Sequence, residues 1–235
     1  AFDVAPGRGG AALEAMRTLG VAGLSVTTPH KEQVADGVDA LDEVAAAVRS
    51  VNTVVVEAGG RLVGHSTDGD GFVDAVRGAG IDPARLRVVL LGAGAAARSI
   101  IDALRRSGAA DIAVVNRTRW RAGEAAAITE AARIGTLDDV VGADLVVNAT
   151  SVGMGTAEMP MPADRLRSGQ VVADVVYQPL RTALLRAADE KGCTTVDGLG
   201  MLVHQAALQQ LLWTGERPDP TMLRRAAEQE LERRR

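Results

Sequence analysis

Lysine is almost missing from this sequence: of 26 basic residues only Lys31 and Lys191 are lysines, and the rest are arginines. A guanidinium is effectively never deprotonated, whereas an ammonium releases its proton when its surroundings are arranged for it. The lysine in "GLSVTTPHKE", residues 23–32, therefore invites a chemical reading. Cysteine is scarce as well. The single Cys193 excludes an internal disulfide, nothing resembles a Cys/His metal-ligand cluster, and a reducing, cytoplasmic location fits. Aromatics make up 2% of the chain (Phe2, Phe72, Trp120, Tyr177, Trp213), too few for a base-stacking platform. Long apolar runs are absent, so no membrane span is expected, and no charged-then-apolar signal segment opens the chain. The net charge of -4 argues against a nucleic-acid or anionic-membrane partner.

The 235 residues, 47% of them hydrophobic, suffice for one large domain or two moderate ones. "AFDVAP" at the start reads as a strand entered partway, with further residues expected upstream. Then come strand-like "GLSVTT", helix-like "PHKEQVADG" and "DALDEVAAAV", strand-like "NTVVVE" and "RLVGH", and helical "DGFVDAVRGAG" stopping at Gly80. "GIDPAR" reads as a linker. From Leu86 the texture changes: "LRVVLL", "DIAVV", "DLVV" and "VVADVV" are continuous apolar strands, separated by helices that include Arg119 to Ala132 and Thr182 to Lys191. Such strands indicate a parallel sheet buried on both faces, the doubly wound α/β arrangement. The expected organisation is α/β throughout: a substrate-binding domain over 1–82, a Rossmann-type domain over 83–197, and C-terminal helices 198–235 returning to the first domain. The terminal arginines suit the negative end of a helix dipole.

"LRVVLLGAGAAARS" places Gly92 and Gly94 directly after a buried strand and at the start of a helix, in the G-x-G-x-x-A form completed by Ala97. Gly92 permits the tight turn, and Gly94 lets backbone approach a pyrophosphate at the helix N-terminus. An NAD site ends the next strand in an acid that accepts from the ribose hydroxyls. Here the strand runs into Asn116, Arg117 and Thr118, with Arg119 and Arg121 beyond. Guanidinium forks match a phosphate dianion, so the cofactor expected is NADP.

Lys31 stands at the start of a helix opened by Pro29, where the helix N-terminal field and partial burial both disfavour the protonated amine; an acid/base role is plausible chemistry for it. Asp68, in "GHSTDGDGF", is either an N-cap or a catalytic group. Asn52 and Thr53 are turn residues or substrate hydrogen-bonders. His30, His65 and His204 have no triad or metal spacing and are read as structural.

These motifs, in this order, resemble the shikimate dehydrogenase family. "GLSVTTPHK" is similar to that family's G-x-N-V-T-x-P-x-K, "VNT" to A-V-N-T, and "GHSTDGDG" to G-x-N-T-D-x-x-G; "GAGAAAR", "NRT", "NATS", "YQP" and "DGLGML" complete a match over essentially the whole chain. The resemblance implies reversible, NADP-dependent interconversion of shikimate and 3-dehydroshikimate, with Lys31 moving the proton and Asp68 hydrogen-bonding the reacting hydroxyl. It further implies Thr27, Asn52, Tyr177 and Gln205 around a shikimate-like cyclic hydroxy acid. Around the cofactor it places Gly92, Ala93, Gly94, Ala95, Ala96, Asn116, Arg117, Thr118, Arg121, Thr150, Val175 and Gly198. Glu43 aligns with a position sometimes given to the cofactor, though a helix-surface acid is the simpler reading. Ser25 and Ser66 stand where the family carries asparagines, which predicts a reshaped pocket, and the family's S-x-S carboxylate grip has no counterpart in these residues. The alternatives are a paralogue acting on quinate or another cyclic hydroxy acid, a methylene-tetrahydrofolate dehydrogenase type, and a non-catalytic ligand-binding sensor.

Overall fold

The computed structural model describes residues 1–233, so Arg234 and Arg235, part of the expected C-terminal helical unit, lie outside the described residues. The elements run α1 Gly9–Leu19, β1 Gly23–Ser25, α2 Lys31–Gly37, β2 Ala40–Leu41, α3 Glu43–Val48, β3 Thr53–Val56, β4 Leu62–His65 and α4 Asp68–Gly78. There follow β5 Arg87–Leu91, α5 Ala95–Arg106, β6 Asp111–Val115, α6 Arg119–Ala126, β7 Ala132–Ile134, β8 Leu145–Asn148, β9 Val171–Asp174, α7 Ala183–Glu190, β10 Thr194–Val196, α8 Gly198–Thr214 and α9 Pro220–Arg233.

Two sheets result. The first, ordered β1-β3-β4-β2, joins β1, β3 and β4 antiparallel and adds β2 parallel to β4. The second, ordered β10-β9-β8-β5-β6-β7, is parallel throughout. Its strands are near-continuous apolar runs because both faces are covered. On one face Val88, Leu90, Ile112, Val114, Leu145 and Val147 meet α4, α5 and α6; on the other, Val89, Leu91, Val146 and Val172 meet Leu184, Leu185 and Ala188 of α7. The strand order reverses between β8 and β5, and at such a switch point open α/β sheets leave a crevice beyond the strand ends. The register places Leu91 beside Val115 and Asn148, and Asn148 beside Asp174, so the residues that follow these strands emerge along one edge.

Helix α4 joins the two sheets. Phe72, Val73 and Val76 sink into the cluster shared with β5 and α5, so this helix, placed before residue 82, packs its apolar face on the second sheet. Gly69 lies so close to the Ser99 carbonyl of α5 that a Cβ there would collide with backbone, and a Cβ on Gly71 would come within 2.6 Å of the Gln205 backbone nitrogen in α8. The two glycines of "DGDG" let α4 lie in contact with helices on either side.

The structure departs from the expected elements in several places. Among the described residues "AFDVAP" pairs with no strand, and the helix that follows, α1, was not anticipated. Strand β1 stops at Ser25, and α2 begins at Lys31 with His30 as its N-cap, so Pro29 lies outside it. Residues 39–42 are not helical: Ala40 and Leu41 pair with Val63 and Gly64, and Asp42 caps α3 by accepting from the Ala45 amide at 2.6 Å. Helix α6 ends at Ala126, since Ala132 to Ile134 pair with Ile112 to Val114.

Candidate active site

The first sheet and α4 assemble a polar cluster around Lys31. The Lys31 carbonyl accepts from the Val51 amide at 3.0 Å, and the Asn52 amide donates to the His65 carbonyl at 3.0 Å, which ties the start of α2 to the ends of β3 and β4. Asp68 opens α4 directly after β4. Lys31 Nζ donates to Asp68 Oδ2 at 2.5 Å, with the two side chains 15% and 6% exposed. Asp68 Oδ1 accepts from Asn52 Nδ2 at 2.9 Å. The carboxylate thus faces the lysine and the asparagine, and no side chain caps α4, where Thr67 holds the N-cap position.

Asn52 is fully enclosed. Its Nδ2 also lies 2.9 Å from Thr67 Oγ1 and 3.1 Å from Gln205 Oε1, while its Oδ1 accepts from the Thr67 amide and the Thr53 hydroxyl. Lys31, Asp68, Asn52 and Gln205, four of the residues singled out from the sequence, therefore share one site. Two participants were missed. Thr67 precedes Asp68 in the quoted motif, and Gln209, one turn beyond Gln205 on α8, donates to the Asn52 carbonyl at 3.0 Å and to Ser25 Oγ at 3.1 Å. The i, i+4 spacing of Gln205 and Gln209 on a largely apolar helix was the available signal. The serines expected to reshape the pocket are held by protein groups, Ser25 by Gln209 and Ser66 by Ser99 at 3.1 Å. Thr27 is exposed, Glu43 is exposed in the first turn of α3, and among the described residues Lys31 bonds Asp68, and Asp68 bonds Asn52, rather than Thr27 or Tyr177. Tyr177 borders a separate cavity of about 600 Å³ between its loop, Thr156, Pro179 and Leu231 of α9. His65 bonds Asp42, His30 bonds the Val4 carbonyl, and burial lowers the pKa of His204.

The second cluster lies on the edge of the parallel sheet. Gly92 adopts φ 119°, and a Cβ there would stand 2.8 Å from the Ala149 carbonyl oxygen; only glycine fits this turn. Gly94 caps α5, and a side chain at that position would meet nothing, so the helix N-terminus opens onto free space where an anion is favoured. Ala93, Ala95 and Ala96 are half-buried along this turn. Thr150 packs its methyl toward Gly92, the Val175 amide donates to the Asn148 carbonyl at 3.0 Å, and Gly198 lies against the Val175 carbonyl. Gly92 to Ala96, Thr150, Val175 and Gly198 are thus neighbours.

At the end of β6 Asn116 Nδ2 donates to the Thr118 carbonyl at 3.0 Å and shapes the entry to α6. Arg117 and Arg119 are exposed with no carboxylate partner among the described residues, although arginines elsewhere pair readily, as Arg133 does with Asp111 and Asp139. Arg121 stacks on Trp120 at 5.3 Å. Unpaired guanidiniums gathered at the N-terminal end of a helix, with no acid ending β6, fit a phosphate ester on a ribose. Arg98 of α5 spans the two clusters: its Nε donates to the Val48 carbonyl at 2.9 Å and its Nη2 to Glu32 Oε1, beside Lys31, at 2.6 Å.

Comparison with known proteins gives consistent matches. Residues 1–54 match the shikimate dehydrogenase substrate binding domain, residues 78–161 the shikimate / quinate 5-dehydrogenase family, and residues 198–228 the shikimate 5'-dehydrogenase C-terminal domain. The NADP(+) shikimate dehydrogenase of Moorella thermoacetica is 44% identical over 228 residues, covering 92% of this chain and 77% of that protein. The shikimate 5-dehydrogenase of Thermus thermophilus, solved with NADP(H) and shikimate, superposes with a TM-score of 0.88 at 37% identity, over 94% of this chain and 83% of that one. Ligand-free 5-ketofructose reductase from Gluconobacter sp. strain CHM43 does so with a TM-score of 0.86 at 36% identity, over 97% and 86%.

Proposed function

The chain belongs to the shikimate dehydrogenase family, and on that premise we propose that it is an NADP-dependent oxidoreductase interconverting shikimate and 3-dehydroshikimate. The observation that carries the reading is the Lys31 and Asp68 pair, fixed by Asn52 and Gln205, beside an α5 whose N-terminus is open for a dinucleotide. Residues 1–82 with the helices from 198 hold the substrate, and residues 83–197 hold NADP. Bound NADP supplies the hydride acceptor at its nicotinamide.

Oxidation of a secondary alcohol removes a proton from oxygen as hydride leaves carbon, so a positioned base is required. Lys31 takes that proton as the neutral amine and, as the ammonium paired with Asp68, returns it in the reverse direction. Asp68 accepts a hydrogen bond from the reacting hydroxyl until that proton moves, then holds the Lys31 ammonium that results, while Asn52 locks the second carboxylate oxygen. Thr27, Tyr177 and Gln205 contact the remainder of the substrate. Arg117 and Arg121 grip the 2'-phosphate, with Asn116 and Thr118 shaping the turn that presents them. Gly92 to Ala96 cradle the pyrophosphate, and Thr150, Val175 and Gly198 meet the nicotinamide half. We place the reaction in the cytoplasm, where Cys193, its thiol pushed up in pKa by burial, stays reduced.

The test is reduction of NADP with shikimate, with quinate and with no substrate. Turnover fastest with shikimate is expected, and absence of turnover with every cyclic hydroxy acid would overturn the assignment. The likeness to 5-ketofructose reductase favours a second reading, in which a paralogue reduces another polyhydroxy ketone; turnover of that ketone ahead of shikimate would identify it.

A further inference from the structure

The proposed mechanism leaves one enclosed carboxylate unused. Asp174 ends β9, and its Oδ1 accepts from Asn148 Nδ2 at 2.9 Å and from the Val176 amide at 3.0 Å, while its Oδ2 accepts from the Thr182 hydroxyl at 2.7 Å. Asn148 is itself fully buried at the end of β8. It passes the constraint on: its Oδ1 accepts from the Thr150 hydroxyl at 2.7 Å and from the Thr150 amide at 3.1 Å, and its Nδ2 donates to the Val152 carbonyl at 3.1 Å. Thr150 Oγ1 then accepts from the Val152 amide at 3.1 Å. Thr182 caps α7 through the Leu185 amide. One carboxylate thereby holds three separate segments at the sheet edge: the loop from Ala149, the strand end at Val175 and Val176, and the start of α7.

Burying a charge without a cationic partner is costly, and burial pushes the Asp174 carboxyl up from its ordinary value. A leucine at a merely packed position would avoid that cost. What the carboxylate provides is acceptor capacity, at Oδ1 for the Asn148 amide and the Val176 N–H and at Oδ2 for Thr182.

We infer that Asp174 is a positioning residue for the cofactor: acting through Asn148, it fixes Thr150 and the Val175 strand end against the Gly92 turn and so sets how the nicotinamide lies over the reacting carbon. The inference rests on the NADP reading above. Removing the carboxylate leaves Asn148 Nδ2 with the Val152 carbonyl as its remaining acceptor and loosens its hold on Thr150, while the Lys31 cluster, built on the other sheet, is untouched.

The experiment compares Asp174→Ala, Asp174→Asn and Val172→Ala. Val172 lies two residues earlier on the same strand, is fully buried in the apolar core and takes no part in the network, so its truncation lowers stability alone. For Asp174→Ala the expected result is a loss of roughly tenfold or more in kcat/KM for NADP, with KM for shikimate little changed, as displacement of a reacting group by about an ångström produces. Asp174→Asn, which keeps Oδ1 for Asn148 and Val176, recovers most of it. Should Asp174→Ala be too unstable to purify, Asp174→Ser is read by the same constants. If Asp174→Ala lowers only Tm, as Val172→Ala does, and leaves both constants unchanged, the inference is wrong. If the parent enzyme is inactive with shikimate, the functional reading has failed instead, and NADPH affinity followed by nicotinamide fluorescence decides the Asp174 question: weaker binding in Asp174→Ala than in Val172→Ala upholds it, and equal binding overturns it.

Discussion

Lys31 stands in an ion pair and yet must exchange a proton, and substitutions separate those two duties. Lys31→Arg keeps a cation within reach of Asp68 but removes the releasable proton. Lys31→Ala removes both. If proton transfer is the function, both variants lose on the order of 10²-fold or more in kcat with KM for NADP preserved. Recovery of activity by arginine would show instead that only the charge matters. Arg117 has the opposite expectation: Arg117→Ala weakens the preference for NADP over NAD and leaves kcat with saturating cofactor intact, and an unchanged ratio of the two cofactors' kcat/KM would remove Arg117 from the phosphate site. Asp174 makes a prediction about pH. Its carboxyl is raised above the ordinary 3.8 in the folded chain, so the native state binds the proton more tightly than the unfolded one. The stability this contributes is complete below the unfolded value and disappears as pH rises through the folded one. Asp174→Asn carries no such dependence. Relative to the parent, it gains stability between acid and neutral pH, and denaturant titrations at both ends that show a constant difference would contradict the burial argument.

At the scale of elements, α4 is the part most exposed to single changes. Gly69→Ala drives a methyl into the α5 backbone, which has no rotamer with which to yield; Gly71→Ala meets the backbone of α8 at 2.6 Å. Each is expected to cost about 1 to 3 kcal/mol or more, outweighing the helix propensity alanine adds. For a chain of this size that is a fall of roughly 2–4 °C in Tm per kcal/mol, read by thermal unfolding. The sequence made the central strands readable, since "VVLL", "IAVV" and "LVV" are apolar throughout. The glycine turn and the "STDG" and "DGLGM" stretches likewise drew attention to the right places. It concealed β2, β7 and β10, because two or three residues have no measurable period and become strands only by pairing with β4, β6 and β9. The alanine-rich run after Arg119 has helix propensity to spare, and sheet pairing overrides it. Gln209 was hidden for a related reason: a glutamine beside Gln210 on a largely apolar helix reads as solvent-facing until the Asn52 carbonyl, just before β3, is seen to accept from it.

Over the whole molecule, α4 and α8 belong to both halves. Through Asp68, α4 reaches Lys31 and Asn52, while its Phe72, Val73 and Val76 fill the core beneath the second sheet. From α8, Gln205 and Gln209 reach the first sheet's polar cluster, Trp213 Nε1 donates to the Val54 carbonyl at 3.0 Å, and Met201 joins the other core. Separating the halves exposes three enclosed side chains from α4 alone, at about 1.5–3 kcal/mol each. That sum is comparable with the roughly 5–15 kcal/mol that typically holds a domain folded. A state with one half melted is therefore not populated, and the chain is expected to unfold in one step. Trp120, exposed on α6 of the second sheet, and Trp213, packed over the first, provide the two reporters. In Trp120→Phe the fluorescence of Trp213 follows the first sheet, in Trp213→Phe that of Trp120 follows the second, and far-ultraviolet circular dichroism follows all helices. Within each variant fluorescence and dichroism are expected to share one midpoint, and NADP is expected to raise both together. If Trp213 loses its native signal before the helices melt, the first sheet folds apart from the rest and the α4 and α8 packing does not bind the two halves into one cooperative unit.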